Sequence, residues 1–121
     1  HQHQKNFCQK HTETAAVERR VIHTAYDAGV LESFRVFATV ANIGDSTVTV
    51  DLYKNGSTIL SSVPGLDSGD AAYTGIVLGT FSATPYAAND VFEIVVTVSA
   101  GTGTLAKGVN AEFISRELSG G

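Results

Sequence analysis

Hydrophobic and polar residues alternate along most of the chain beyond residue 16, which is the pattern of β-strands that bury one face. The runs are short, and each is closed by Gly, Asn, Asp or Ser, as is typical of a β-sandwich or barrel. They predict roughly five or six antiparallel strands in two packed sheets. Four runs supply the predicted core: Phe34, Val36, Ala38 and Val40; Val48, Val50, Leu52 and Ile59; Phe92, Ile94, Val96 and Val98; and Val109, Ala111 and Phe113.

The segment STVTVDLYKNGSTIL, residues 46–60, gives the firmest local prediction. Asn55 and Gly56 are residue types that tolerate the two positive φ angles of a type I′ hairpin turn. A two-residue loop also fixes which residues face the core. The predicted pairs are Lys54–Ser57, Tyr53–Thr58 and Leu52–Ile59.

The sequence leaves two structural alternatives open. Residues 12–29 contain a capping-box-like Thr14, apolar residues at 17, 21 and 22 and a terminating Gly29, which also suit a helix. An immunoglobulin-like sandwich fits the same strand pattern, although its Cys-Trp-Cys hallmark is absent. We expect an all-β fold, an antiparallel β-sandwich that is jelly-roll-like, with a further strand from about 72 to 78.

Residues 1–16, HQHQKNFCQKHTETAA, are polar and follow neither a strand period nor a helix period. They predict an extended N-terminal arm, followed by a β-sandwich domain over 17–118 and a flexible C-terminal end over 119–121. An arm with so little apolar surface does not fold by itself, so we expect it to lie on a neighbouring subunit. The residues predicted to dock on that partner are Phe7, Lys5, Lys10, Arg19 and Arg20.

Charge and composition exclude several classes of function. Eight Lys and Arg against twelve Asp and Glu give a net charge of −4, which disfavours a protein that holds nucleic-acid phosphates. No apolar run approaches the roughly 18–20 residues of a membrane-spanning helix, so neither nucleic acid nor a membrane is an expected partner. A single cysteine permits no disulfide within the chain.

The front end of the chain contains a candidate set of metal ligands. His1, His3, Cys8 and His11 form H-x-H-x4-C-x2-H, and four such side chains suit a tetrahedral zinc ion. A polar arm offers no apolar scaffold that would hold these ligands, so we favour solubility or docking as their role. No metal or other cofactor is predicted.

The sequence offers no catalytic nucleophile with a supporting base. A G-x-S-x-G elbow is absent, and the single thiol lies in the polar arm. His23, Asp27 and Ser33 lie within eleven residues of each other, and chance explains that proximity. We therefore expect a protein that is not an enzyme and that acts through its surfaces.

Several segments together carry a resemblance to a known class of module. The hairpin VTVDLYKNGSTIL at 48–60 follows FRVFATVANIGDS and precedes YAANDVFEIVVTV at 86–98 and AKGVNAEFI at 106–114. This order resembles the small β-sandwich modules of tailed-bacteriophage virion proteins, and the similarity spans about residues 17–116. The chain departs from the usual pattern at Tyr53, at Asn89 and in its His-rich front end.

The resemblance implies a virion structural protein on the outer surface of the particle, and we expect a head decoration or cement protein. Its implied partners are the major capsid protein or another virion protein, and copies of itself in a dimer or trimer. A tail or fibre adhesion module is one alternative. A carbohydrate-binding sandwich is another, with Tyr53, Tyr73 and Tyr86 as candidate glycan contacts, although no Trp is present for a stacking platform.

Overall fold

The computed structural model describes residues 2–10 and 13–117, and the regular structure in those residues consists of strands. The longest strands supply most of the two sheets, and the short ones lie at turns and edges. In chain order the strands are β1 (Gln2–Cys8), β2 (Glu18–Thr24), β3 (Gly29–Val40), β4 (Thr47–Lys54), β5 (Ser57–Thr58), β6 (Leu60–Ser62), β7 (Gly65–Leu66), β8 (Val77–Phe81), β9 (Pro85–Tyr86), β10 (Val91–Ser99) and β11 (Lys107–Glu117).

These strands form two antiparallel sheets that pack face to face. One sheet has the order β1-β11-β3-β8-β6, with β9 also paired to β3, and the other has the order β2-β10-β4-β5, with β7 also paired to β4. The long pairings are nested, since β1 pairs with β11, β2 with β10 and β3 with β8. Nested pairs that alternate between two sheets are the order of a jelly roll, so the predicted fold class is confirmed.

The core lies between the sheets and contains the inward-facing residues of the alternating runs. The predicted core residues are buried, except that Val40 is 40% exposed and Val98 is only partly buried. Val40 is the last residue of β3. The Phe92 ring lies 5.3 Å from the ring centroids of both Phe113 and Tyr86, and such aromatic contacts add to the stabilisation from apolar burial.

The β4–β5 hairpin has the predicted turn and register. The two strand pairs next to the turn are those predicted from the two-residue loop. The backbone nitrogen of Ile59 donates to the carbonyl of Leu52 over 3.1 Å, which continues the same register. Asn55 and Gly56 have φ angles of 52° and 89°, the two positive angles that a type I′ turn requires.

One local expectation differs from the structure, and one open alternative is decided by it. The strand expected at 72–78 is β8, which begins only at Val77, because residues 71–75 form a turn. In that turn the nitrogen of Gly75 donates to the carbonyl of Ala71 over 2.9 Å, and Tyr73 has a φ of 61°. The helical alternative does not form in the described part of 12–29, because residues 18–24 are β2 and pair with β10 instead.

The predicted arm is extended, but the chain itself holds it. β1 pairs with β11 from Gln2–Arg116 to Cys8–Asn110, and Phe7 is only 2% exposed. The ladder and the burial of this ring supply the stabilisation that we expected from a neighbouring subunit, so that expectation is corrected. Residues 118–121, which include the predicted C-terminal end, lie outside the described residues.

Two loops are locked together at one end of the sandwich. The β3–β4 loop contributes Asn42 and Ser46, which are both buried. Oδ1 of Asn42 accepts a hydrogen bond of 2.8 Å from the nitrogen of Ala106, and Oγ of Ser46 donates to the carbonyl of Thr104 over 2.6 Å. The nitrogen of Ile43 donates to the same Thr104 carbonyl over 2.9 Å. These bonds fix the β10–β11 loop against the β3–β4 loop.

Candidate functional site

Both sheets end on the same side of the sandwich, in strands that are paired along only one side. β1 is the terminal strand of one sheet, and β2 is the terminal strand of the other. Within residues 2–10 and 13–117, no strand pairs with the remaining side of either one. We call the solvent-facing backbone of Gln2–Cys8 and Glu18–Thr24 the open edge. Each of its strands has seven residues, whereas β5, β6 and β7 at the opposite side have two or three.

Backbone geometry prepares the β1 part of the open edge for a further strand. Directly after β1, the nitrogen of Gln9 donates to the carbonyl of Val109 over 2.8 Å. Hydrogen-bonded and non-hydrogen-bonded pairs alternate along an antiparallel ladder, so the odd-numbered residues of β1 bond to β11. Gln4 and Asn6 therefore turn their N–H and C=O groups away from β11. Such groups are the template to which a partner strand adds.

Side chains between β1 and β2 keep the open edge together. The Arg20 guanidinium lies over the Phe7 ring, 4.7 Å from its centroid, and also pairs with the Glu18 carboxylate. Nε2 of Gln9 donates to the carbonyl of Ala16 over 2.9 Å and to Oε1 of Glu18 over 3.1 Å. The two strands thus form one continuous surface although they belong to different sheets.

The structure separates the residues that were predicted to dock on a partner. The prediction is wrong for Phe7, because this side chain points into the sandwich and its ring is part of the core. Lys5 lies on the same side of the strand and is half-buried. Lys10 is exposed and pairs with Glu13 over 3.6 Å.

Arg19 and Arg20 are engaged within the chain. Nε and Nη2 of Arg19 donate to the Glu93 carboxylate over 2.7 and 3.2 Å, and its guanidinium lies 5.0 Å from the centroid of the Tyr53 ring. The hydrogen bonds from Arg19 lower the pKa of Glu93, and the same bonds raise the pKa of Arg19. Arg20 lies over the ring of Phe7. Arg19 therefore joins β2 to β10 through Glu93, and Arg20 joins β2 to β1 through Phe7.

The three tyrosines proposed as glycan contacts do not share one surface. Tyr53 is a β4 residue on the outer face of its sheet, next to Arg19. Tyr73 is 55% exposed in the turn before β8, and β8 belongs to the other sheet. Tyr86 is 6% exposed and packs edge-on against Phe92, so its assignment as a glycan contact is corrected. β9 pairs with β3 and turns this ring inward.

The candidate metal ligands lie only partly within the described residues. His1 and His11 are outside them, His3 is in β1, and Cys8 has an exposed thiol at the end of that strand. In the part of the chain that the structure describes, no three His, Cys, Asp or Glu side chains are placed to hold a metal ion. His23 packs against the aromatic core, with its ring stacked 6.0 Å from the nearest phenylalanine centroid.

A shallow groove of about 290 Å³ opens where β8 diverges from β3. β3 pairs with β8 at 34–36 and with β9 at 29–30, so the residues between these stretches face a gap. At its rim, Oε1 of Glu32 accepts a 3.1 Å hydrogen bond from Nε2 of Gln2. Sequence patterning missed this groove because it arises from a break in strand pairing. Its lining residues are Glu32, Ser33, Phe34, Leu78, Gly79, Thr80, Phe81 and Thr84.

No family model, curated protein or solved structure matches this chain. The described residues contain no helix with the length and apolar character needed to cross a membrane. The open edge is the most extensive feature that strand order and hydrogen bonding together single out, and it is the candidate functional site.

Proposed function

We propose that this chain is a non-enzymatic structural protein of a virus particle, a head decoration or cement protein that attaches to the capsid shell through the open edge. One observation carries the proposal: two seven-residue strands end their sheets side by side, and each is paired along one side only in the described residues. The resemblance of the hairpin and of the strands at 86–98 and 106–114 to phage virion modules supports the same assignment.

A strand from the shell would extend the sheet beyond β1. Main-chain hydrogen bonds to the outward groups of Gln4 and Asn6 would supply the affinity. Proteins normally shorten or cover such edges, because an exposed edge promotes aggregation. A partner that covers β1 and β2 in the assembled particle explains why both edges are long.

The Gln4 side chain lies beside the added ladder and takes no part in it. Nε2 of Gln4 donates to Oε2 of Glu112 over 2.8 Å, so this amide is held on the outer face of the sheet. Cys8 is exposed at the end of the same strand. One added strand is a small contact, but many copies on a symmetric shell make weak individual contacts sufficient.

The test uses virions from the natural source that have been stripped of this protein and then incubated with recombinant chain. Gln4→Pro removes the outward N–H, and proline is tolerated on the solvent side of an edge strand. Gln4→Ala is the matched control, because it removes the same side chain and keeps the N–H. We expect Gln4→Ala to occupy the shell like the natural chain and Gln4→Pro to lose most of its occupancy, with both variants folded by circular dichroism.

Equal occupancy for the two variants would show that the open edge is not the attachment site. Copies found only at the tail would favour the adhesion module over a decoration protein. Glycan binding that is lost in Tyr53→Ala or Tyr73→Ala, without attachment to particles, would favour the carbohydrate-binding alternative.

A further inference from the structure

The turn between β4 and β5 contains a chemically reactive pair of residues. Asn55 and Gly56 are both exposed, and both have positive φ. A Cβ atom at position 56 would meet no other atom within 4 Å, so the space around this residue is open. An asparagine side chain that precedes glycine in an open turn is the arrangement in which a backbone nitrogen most readily reaches the side-chain amide.

We propose that Asn55 is a site of spontaneous deamidation and that contacts with the start of β10 set the rate of this reaction. The backbone nitrogen of Gly56 attacks Cγ of Asn55, and the new C–N bond closes a five-membered succinimide. The Cγ–Nδ2 bond breaks, and the nitrogen leaves as ammonia with the proton from Gly56. Water then opens the ring at either carbonyl, which gives aspartate or isoaspartate. Water is the only co-reactant.

Three hydrogen bonds, which we call the Asn55 latch, hold this side chain and its backbone against β10. Nδ2 of Asn55 donates to Oδ1 of Asp90 over 2.8 Å, and Oδ1 of Asn55 accepts from the nitrogen of Val91 over 2.9 Å. The backbone nitrogen of Asn55 donates to the carbonyl of Val91 over 2.8 Å. Both ends of the amide are therefore directed towards β10, and the side-chain bonds must break before Cγ can turn to the nitrogen of Gly56.

The reaction product cannot close the same latch. A carboxylate at position 55 has no N–H to offer Asp90, and it places a second negative charge beside the first. Hydrogen bonds from the nitrogen of Ala87 and from Asn55 lower the pKa of Asp90, so Asp90 stays charged near neutral pH. Isoaspartate also lengthens the backbone of a two-residue turn, whose length fixes the hairpin register. Deamidation therefore removes the hydrogen bond between position 55 and Asp90 and loosens the turn, while the β4–β10 ladder that begins at Lys54–Phe92 remains.

The experiment follows deamidation of the full chain at mildly alkaline pH, by peptide mass spectrometry and an isoaspartate assay. We expect Asn55 in the folded natural chain to react at least about ten times more slowly than in the same chain unfolded in urea. A charge-assisted hydrogen bond alone shifts an equilibrium by about that factor. Asp90→Ala removes the charged acceptor and should accelerate the reaction in the folded state. Asp67→Ala is the control, since that carboxylate bonds within its own loop, to the nitrogen of Gly69 over 2.8 Å.

Asp90→Asn keeps an uncharged acceptor and the side-chain volume, so it should react at a rate between those of the natural chain and Asp90→Ala. This variant decides the matter if Asp90→Ala does not fold. Identical rates for the natural chain and Asp90→Asn would overturn the role of the latch. An Asn55 that stays intact even in the unfolded chain would overturn the modification site itself.

Discussion

The guanidinium of Arg20 lies 4.7 Å from the centroid of the Phe7 ring, across the gap between the terminal strands of the two sheets. Phe7 contributes a core side chain from β1, and Arg20 lies over that ring from β2. The two long edges are thereby kept together. The N-terminal segment therefore belongs to the sandwich, and the surface that it offers a partner is its backbone.

Substitution of Phe7 tests whether this segment is part of the fold. Phe7→Ala should lower the free energy of unfolding by about 3–5 kcal/mol, as expected when a buried phenylalanine is truncated. Arg20→Ala removes only a partly exposed cation–π contact and a surface ion pair, and should cost about 1 kcal/mol. Urea denaturation measures both. A Phe7→Ala variant as stable as the natural chain would mean that residues 2–8 are not integrated into the sheet.

Alternation and turn chemistry were sufficient to predict the central strands. Leu52 and Ile59 are buried as expected because Asn55–Gly56 fixes both the turn and the register. Strand β2 was harder to predict, since its residues also fit a helical period and only pairing with β10 decides between the two. Local sequence patterns predict the structure reliably where the turn residues and the alternation of apolar residues indicate the same register.

The candidate site is harder to predict from the sequence than the central strands. Phe7 stood out as an apolar residue in a polar segment, which suggested docking, whereas a single large ring is enough to anchor an edge strand whose other contacts are backbone hydrogen bonds. Ladder bonds carry no side-chain signature, so the polar residues of β1 did not indicate a strand. Tyr86 was misassigned for a related reason, because its burial depends on β9 pairing with a distant part of the chain.

Gly29 should be intolerant of a side chain. A Cβ atom there would lie 2.4 Å from the Tyr86 hydroxyl and 2.5 Å from the carbonyl oxygen of Arg116. Gly29→Ala should therefore cost about 1–3 kcal/mol through overpacking. Gly65→Ala is the matched control, because its nearest contact would be an ordinary 3.5 Å approach to Thr49, and it should change stability by no more than about 0.5 kcal/mol. Similar losses in both variants would argue against this close packing.

Asn42 and Ser46, the two buried polar residues of the β3–β4 loop, should differ in how much they stabilise the fold. Asn42→Ala leaves the buried nitrogen of Ala106 without its acceptor, which should cost about 2–3 kcal/mol. Ser46→Ala should cost only about 1 kcal/mol, because the carbonyl of Thr104 keeps its bond from the nitrogen of Ile43. Thermal and urea unfolding of the two variants measure this order. The reverse order would mean that the hydroxyl, and not the amide, locks the loops.

Acid should weaken both ends of the sandwich through two aspartates. The nitrogen of Thr102 donates to Oδ1 of Asp45 over 2.8 Å, and this hydrogen bond lowers the pKa of Asp45. Hydrogen bonds from the backbone nitrogen of Ala87 and from the side-chain amide of Asn55 lower the pKa of Asp90. A carboxylate whose pKa is lower in the folded state stabilises the fold at pH values above its ordinary pKa of 3.8. This contribution is lost as the pH falls from that value through the lower folded pKa.

The urea midpoint measured from neutral pH down through the aspartate range tests this expectation. Asp45→Asn and Asp90→Asn should each be less stable than the natural chain at neutral pH, and the difference should shrink on acidification, because a neutral amide has no charge to lose. Ser99→Ala, a change at an exposed uncharged residue, should follow the natural profile. If the stability difference between either aspartate variant and the natural chain were the same at every pH, the hydrogen bonds to that carboxylate would not favour its charged form in the folded protein.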